Sequence, residues 1–446
     1  MPRTPAVVEI TQETGDAFRH TLRQVDKVGF FTLNYREAIA TISGIQHLRR
    51  NIPQRMTYAK SIILDVESRD DLEGLLNRST GPAPNLEHLA LEYANADAVV
   101  CTPERFLADS ASCLAQLKLV NCIIPWTSSL FRNLTSLEVA FPLFGGPHPV
   151  PTLPVLINVL HQHESLQTLH LSNVLPAFQE ADQQWMRAGG KIALRHLDNL
   201  ELKGKAGDVV DLYTCLDIPS TLKRLHLSVS YASAADCDAH VPGVLELVSK
   251  SAYTRLSAGA ITVDSASLSM WDDEEAVMSL GEGADAAQTH GTRVTVYHDD
   301  MAAQPPLRMF SLFLTNVSWA LPRILRLALA DHPTRHVLNI DVLARLLRPF
   351  PRLRALSLCL CTLPAFSAFF MQTAAHTRGC PLPCLKELTL LDYACEGMYC
   401  DIPRENYSER LRVMADFWRS LGQDVRFEAR HARVVNMSGR RLPRFT

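Results

Sequence analysis

A recurring apolar spacing constrains this chain more than any other feature. The pattern Leu-x-x-Leu-x-Leu starts at Leu86 (with Leu89 and Leu91) and returns at Leu114 (with Leu117 and Leu119, followed by Asn121 and Cys122). It returns at Leu134 (with Leu137 and Val139), Leu166 (with Leu169 and Leu171), Leu197 (with Leu200 and Leu202) and Leu222 (with Leu225 and Leu227). After a gap come Ile324 (with Leu327 and Leu329), Leu353 (with Leu356 and Leu358) and Leu385 (with Leu388 and Leu390), nine copies in all. Successive starts lie 28, 20, 32, 31 and 25 residues apart before the gap, then 29 and 32 after it. A self-similar period of this length signifies stacked repeats. In an extended chain the two leucines of Leu-x-Leu share one face and the residue between them takes the other. Nine amphipathic helices are the alternative, but a two-residue step turns a helix by about 200°. Pro84, Pro219, Pro351 and Pro383 also break the chain just before four of the copies.

One strand per copy, stacked in parallel, buries a leucine ladder that no single repeat could bury alone. Helical spacing fills the intervals. Thr152 is placed to cap a helix with Leu153, Leu156, Ile157 and Leu160 on one face, Asp70 to cap residues 71–77, and Thr102-Pro103 to open a short helix. Asp341–Phe350 carries Leu343, Leu346 and Leu347, and Glu405–Leu421 carries Leu411, Met414, Trp418 and Leu421 before Gly422. The expected fold is therefore an α/β leucine-rich-repeat solenoid, a horseshoe with parallel strands on its concave face and helices outside. The expected organisation is an N-terminal cap with irregular repeats over 1–80, repeats over 81–228, an irregular insertion over 229–318, repeats over 319–395, and a C-terminal helix and cap over 396–446. The insertion is expected to hold strands at Ala260–Met270 and Thr292–His298. Between them an acidic stretch (Asp272, Asp273, Glu274, Glu275, Glu282, Asp285) reads as an exposed loop, or as an acidic tip that docks a basic partner.

Composition narrows the function classes. Of 63 leucines in 446 residues, 10 fall in 151–200 and 11 in 301–350 but only 3 in 251–300, which marks the insertion. Lys plus Arg (44) nearly balances Asp plus Glu (47), so no global field draws nucleic acid or an acidic membrane. No apolar run reaches the roughly 18 to 20 residues of a membrane span. Met1–Asp16 lacks the apolar core of a secretory signal, and the 11 cysteines are odd in number and dispersed, so free thiols and a cytoplasmic or nuclear location are expected.

The run Gly81-Pro82-Ala83-Pro84-Asn85-Leu86-Glu87-His88-Leu89-Ala90-Leu91, then Pro103-Glu104-Arg105-Phe106-Leu107, resembles the leucine-rich-repeat regions of F-box-type proteins of mushroom-forming fungi. Leu117 to Trp126, Arg132 to Leu137 and Leu166 to Pro176 are similar to successive repeats of the same family. The resemblance spans about 35–395 and implies a protein-binding substrate receptor of a cullin-type ubiquitin ligase. In that family an N-terminal F-box, opening near Leu-Pro-x-Glu-Ile/Leu, grips a Skp-type adaptor. Residues 1–60 carry no such motif; they read as strands at Gln24–Asn34 (through Val25, Val28, Phe30 and Leu33) and Thr57–Val66 (through Ile62, Ile63 and Leu64). The chain is therefore expected to begin inside the repeat region, and a Skp-type adaptor is a partner only if an F-box precedes it.

Motifs for chemistry are sparse. Neither a phosphate-binding glycine loop nor a Gly-x-Ser-x-Gly elbow occurs. His161-Gln162-His163-Glu164 reads as a solvated helix end, and Cys359/Cys361, Cys380/Cys384 and Cys395/Cys400 are spaced too irregularly for a zinc site. The expectation is no enzyme, no cofactor and no metal, with a zinc protein or hydrolase as the remote alternative. If Leu89 and Leu91 point inward, His88, Ala90 and Glu92 point to the concave face. The same offset places Gln116 and Lys118, Ser136 and Glu138, Thr168 and His170, Asn199, Glu201 and Lys203, and Arg224, His226 and Ser228 there. A strip mixing both charge signs with histidines suits a protein ligand; an ordinary solvated sheet face is the alternative.

Overall fold

A computed structural model describes residues 8–10, 30–36, 50–95, 98–142, 150–179, 182, 190–231, 233–272, 275–282, 291–298, 306–330, 339–359, 362–377, 380, 382–393, 404–420 and 425–432. The chain divides into two compact units, Met1–Leu222 and Lys223–Thr446.

In the first unit each Leu-x-Leu lies on a strand. β1 (Val8–Ile10), β2 (Phe31–Arg36), β3 (Ala59–Val66), β4 (His88–Tyr93), β5 (Gln116–Val120), β6 (Ser136–Ala140), β7 (Thr168–Ser172) and β8 (Asn199–Lys205) pair side by side in chain order, all parallel. The register sets Leu89, Leu117, Leu137, Leu169 and Leu200 in one row and Leu91, Leu119, Val139, Leu171 and Leu202 in a second. All ten are buried, as are the leading leucines Leu86, Leu114, Leu134, Leu166 and Leu197. Each such side chain contributes about 1.5–3 kcal/mol relative to exposure. This ladder is an α/β leucine-rich-repeat solenoid built from the predicted pattern.

Two strands precede the motif copies. The expected 24–34 strand is found at Phe31–Arg36, with positions 24–29 outside the described residues. The 57–66 strand begins at Ala59, after a 3-10 turn over Pro53–Tyr58. In β3, Ile62, Leu64 and Val66 are buried, and Ile63 takes the opposite face.

The expected helix starts need correction. α1 (Arg69–Leu76) is capped by Ser68, whose Oγ accepts the Asp71 N–H at 3.3 Å; Asp70 sits inside the first turn, where its charge suits the helix dipole. Thr102 caps nothing: it is buried and its hydroxyl lacks a hydrogen-bond partner, and a 3-10 turn follows over Phe106–Asp109. α2 (Leu153–His161) starts after Thr152 as expected, without a cap bond from that side chain. α3 (Ala206–Cys215) follows β8 directly.

The second unit opens with β9 (Arg224–Tyr231) and α4 (Ala234–Ser257). Then come β10 (Ser265–Asp272), β11 (Glu275–Gly281) and β12 (Gly291–His298). α5 (Pro306–Asn316), β13 (Arg326–Ala330), α6 (Ile340–Leu347), β14 (Ala355–Cys359), α7 (Leu363–Thr377), β15 (Glu387–Tyr393), α8 (Arg404–Ser420) and β16 (Arg426–Ala432) complete it. Its sheet order is β9-β12-β11-β10-β13-β14-β15-β16. β11 is antiparallel to both neighbours and the other pairings are parallel.

Within the leucine-poor segment, between α4 and α5, β10–β12 form a three-strand meander set into the ladder. This corrects the acidic-loop reading over Glu275–Gly281, which is a strand with residues 276–281 buried, while Asp273, Glu274 and Asp285 lie outside the described residues. Acidic residues cluster at its ends, while Ala276, Met278 and Leu280 alternate between them and align with Val296, Val294 and Thr292 on β12. Ala266 and Leu268 of β10 continue those inward rows to Leu327 and Leu329 of β13. Residues 260–264 lie outside β10.

α6 carries the expected Leu343, Leu346 and Leu347 face, capped by Asn339, whose Oδ1 accepts the Val342 N–H at 3.0 Å. In α8, Met414 and Trp418 are fully buried; Leu421 and Gly422 lie outside the described residues. Trp418 packs on Phe370 and Phe427, with ring centroids 4.2 and 5.5 Å away.

Candidate functional site

The sheet register of the first unit decides which polar side chains become neighbours. Lys118, Glu138, His170 and Glu201 occupy one row across β5 to β8, and Glu92 stands one row further along β4. Parallel strands lie about 4.7–4.9 Å apart, so residues in one row come within reach of one another. Lys118 Nζ lies 3.7 Å from Glu92 Oε2 and 3.4 Å from Glu138 Oε1. His170 Nδ1 lies 3.7 Å from the same Glu138 oxygen, and its Nε2 lies 3.6 Å from Glu201 Oε1. The five side chains form a continuous ladder, each between 24% and 38% exposed.

A row of neutral polar groups runs beside it. Ser61, His88, Gln116, Ser136, Thr168 and Asn199 are in register. His88 Nδ1 lies 3.2 Å from Ser61 Oγ, and Asn199 Nδ2 donates to Thr168 Oγ1 at 3.2 Å. Burial and then the Lys118 charge hold the His88 imidazole below its ordinary pKa and so neutral. Ser61 and His88 supply two members of a nucleophile relay; among the described residues no carboxylate hydrogen-bonds to His88.

All nine predicted residues on β4 to β8 lie on this face: His88, Glu92, Gln116, Lys118, Glu138, His170, Asn199, Glu201 and Lys203. Arg224 and His226 belong to the second unit, where His226 Nε2 lies 3.0 Å from Thr295 Oγ1. Ser228, expected to be exposed, is 1% exposed and its hydroxyl has no partner. Its register partner Thr295 is equally buried. Sequence reasoning missed Ser61 and Asp65 because β3 carries Ile62-x-Leu64-x-Val66 rather than Leu-x-Leu; the same alternation could have found them.

Other expected centres resolve differently. His163 is not at a solvated helix end; it is 1% exposed and accepts the Leu134 N–H on Nδ1 at 3.1 Å, while His161 is exposed. Among the described residues no three His, Cys, Asp or Glu side chains group as metal ligands; Cys361, Cys395 and Cys400 lie outside them. Cys359 ends β14 and is buried. Among the described residues no helix is long and apolar enough to cross a membrane.

No family model matches the chain, and no curated protein matches it in sequence. Among solved structures the chain is similar to the leucine-rich-repeat-containing protein LegL7 from Legionella pneumophila, with 14% identity over 92% of this chain and 98% of that one, and a TM-score of 0.29.

Proposed function

We propose that the protein is a non-enzymatic leucine-rich-repeat scaffold that binds a protein ligand on the polar sheet face of its first unit. The observation that carries this reading is the ladder Glu92–Lys118–Glu138–His170–Glu201, held in register by five consecutive strands. A rigid sheet presents these groups at fixed spacing with little ordering cost, which is what recognition of another protein requires. Affinity capture from a lysate with wild type, Lys118→Glu and Arg224→Glu tests it. The expected result is a captured protein whose amount changes with Lys118→Glu and not with Arg224→Glu; identical captured sets from all three would remove the face from the account.

The likeness of residues 81–176 to fungal F-box proteins supports a finer reading, in which the scaffold derives from a substrate receptor of a cullin-type ubiquitin ligase and acts in the cytoplasm or nucleus. Co-purification of a Skp-type adaptor with the natural gene product tests it, and a preparation free of such an adaptor argues for a binding module outside the ligase.

A further inference from the structure

We infer that the polar face of the first unit takes a basic segment in polyproline II conformation, with Lys or Arg at every third residue, laid across the strands. This deepens the scaffold reading and rests on it. Charge gives the sign. Among the described side chains of β3 to β8 on this face, Asp65, Glu92, Glu138 and Glu201 outnumber Lys118, Lys203 and Lys205, and His88 is held neutral. An excess of carboxylates on a rigid sheet repels phosphate and acidic peptide and favours ammonium and guanidinium groups.

Geometry gives the spacing. Glu138 and Glu201 share a row two strands apart, about 9.5 Å between their backbones. Glu92 stands two strands to the other side of Glu138, displaced by two residues along its own strand. A polyproline II helix repeats every three residues over about 9.3 Å, so one face of it carries a side chain at nearly this interval. An extended β-segment instead brings side chains to one face every two residues, about 6.7 Å apart, and falls out of step.

The chain itself already sets a nitrogen between each pair of carboxylates, Lys118 between Glu92 and Glu138 and His170 between Glu138 and Glu201. All four contacts, at 3.4–3.7 Å, exceed the roughly 2.7–2.9 Å of a charge-assisted hydrogen bond. Glu92 and Glu138, each 30% exposed, therefore keep acceptor capacity toward solvent that a closer cation can use.

Fluorescence anisotropy of the full chain with three labelled peptides tests the inference: Lys-Pro-Pro repeats, a composition-matched peptide with its lysines contiguous, and Glu-Pro-Pro repeats. The repeats are expected to bind about tenfold tighter than the contiguous peptide, with affinity falling as salt rises, and the acidic peptide is expected not to bind. Glu138→Gln with Glu201→Gln, and separately His170→Lys, should each weaken binding about fivefold at unchanged thermal midpoint. Equal affinity for the two basic peptides, binding of the acidic one, or indifference to both variants overturns the inference. Capture of a protein ligand that depends on Lys118 but is not displaced by Lys-Pro-Pro repeats also overturns it while leaving the scaffold reading intact. Peptide binding as expected, with protein capture indifferent to Lys118→Glu, instead removes the scaffold reading.

Discussion

The backbone N–H of Leu134 donates to Nδ1 of His163 at 3.1 Å, across 29 residues of chain. In neighbouring repeats the corresponding leucine N–H goes to a carbonyl three residues back: Leu86 to Ala83, Leu114 to Ala111, Leu197 to Leu194 and Leu222 to Pro219, all within 3.0–3.2 Å. At Leu134 that turn is absent, because Asn133 has φ of 55° and turns the chain differently. The imidazole of the following repeat supplies the acceptor instead. Accepting at Nδ1 places the proton on Nε2, so His163 must be neutral.

Acid should therefore loosen the first unit. Burial lowers the His163 pKa to about 4, against about 6.5 for an unperturbed imidazole. The unfolded chain then binds one more proton between those values, so stability is fully present above pH 6.5, falls as pH drops through the window, and levels off below about 4. The loss expected from this group is about 3 kcal/mol. Urea unfolding at pH 7, 5.5 and 4.5 checks it. His163→Leu should flatten that slope while costing about 1–3 kcal/mol at pH 7, because the Leu134 N–H loses its acceptor.

Asparagine at the turn after a strand does two jobs that substitutions separate. Asn121 has φ of 52°, and its Nδ2 donates to the Tyr93 carbonyl of the previous repeat at 2.8 Å; Asn173 at φ 57° does the same to the Phe141 carbonyl at 2.8 Å. Asn121→Gly keeps the backbone relaxed and loses the bond, at about 1–2 kcal/mol. Asn121→Ala loses the bond and also strains the left-handed backbone, adding about 1–2 kcal/mol more. Equal unfolding midpoints for the two variants would contradict this account.

In the second unit Arg255 is 1% exposed and ties the starts of two strands together. Its guanidinium donates to the Lys223 carbonyl at 2.6 Å, the Gly291 carbonyl at 3.0 Å and Thr292 Oγ1 at 2.9 Å. Arg255→Met leaves these acceptors buried and should cost about 2–4 kcal/mol. Arg255→Lys should recover little, since an ammonium cannot reproduce the planar fork. Hydrogen exchange at the Gly291 amide, which donates to the Lys223 carbonyl at 3.1 Å, should report the opening first.

Lys118 should matter for binding and hardly at all for folding. Its two ion pairs are long and partly solvated, so Lys118→Gln should change stability by less than about 1 kcal/mol. A thermal melt within a few degrees of wild type would confirm that a change in ligand capture reflects the surface rather than the fold.

The strand positions were legible because Leu-x-Leu states directly which side chains are buried, and the face opposite followed by subtraction. The same subtraction assigns His88, Lys118, Glu138, His170 and Glu201 to the polar face. The acidic stretch misled because charge at the ends of β11 outweighed the short Ala276–Met278–Leu280 alternation within it. His163 misled because a histidine next to Glu164 at a helix end reads as surface, and nothing local records that the Leu134 amide stands behind it.

Sequence by itself determined the period, the inward rows of leucine and the polarity of the opposite face, since these follow from two-residue alternation within each strand. Only the tertiary structure decided which polar residues meet. Register between strands set Lys118 between Glu92 and Glu138, placed His170 between Glu138 and Glu201, and laid the meander β10–β12 into the ladder of the second unit in reversed order. Such pairings join residues tens of positions apart, and their energy comes from backbone hydrogen bonds and burial that depend on the whole stack rather than on any local run of side chains.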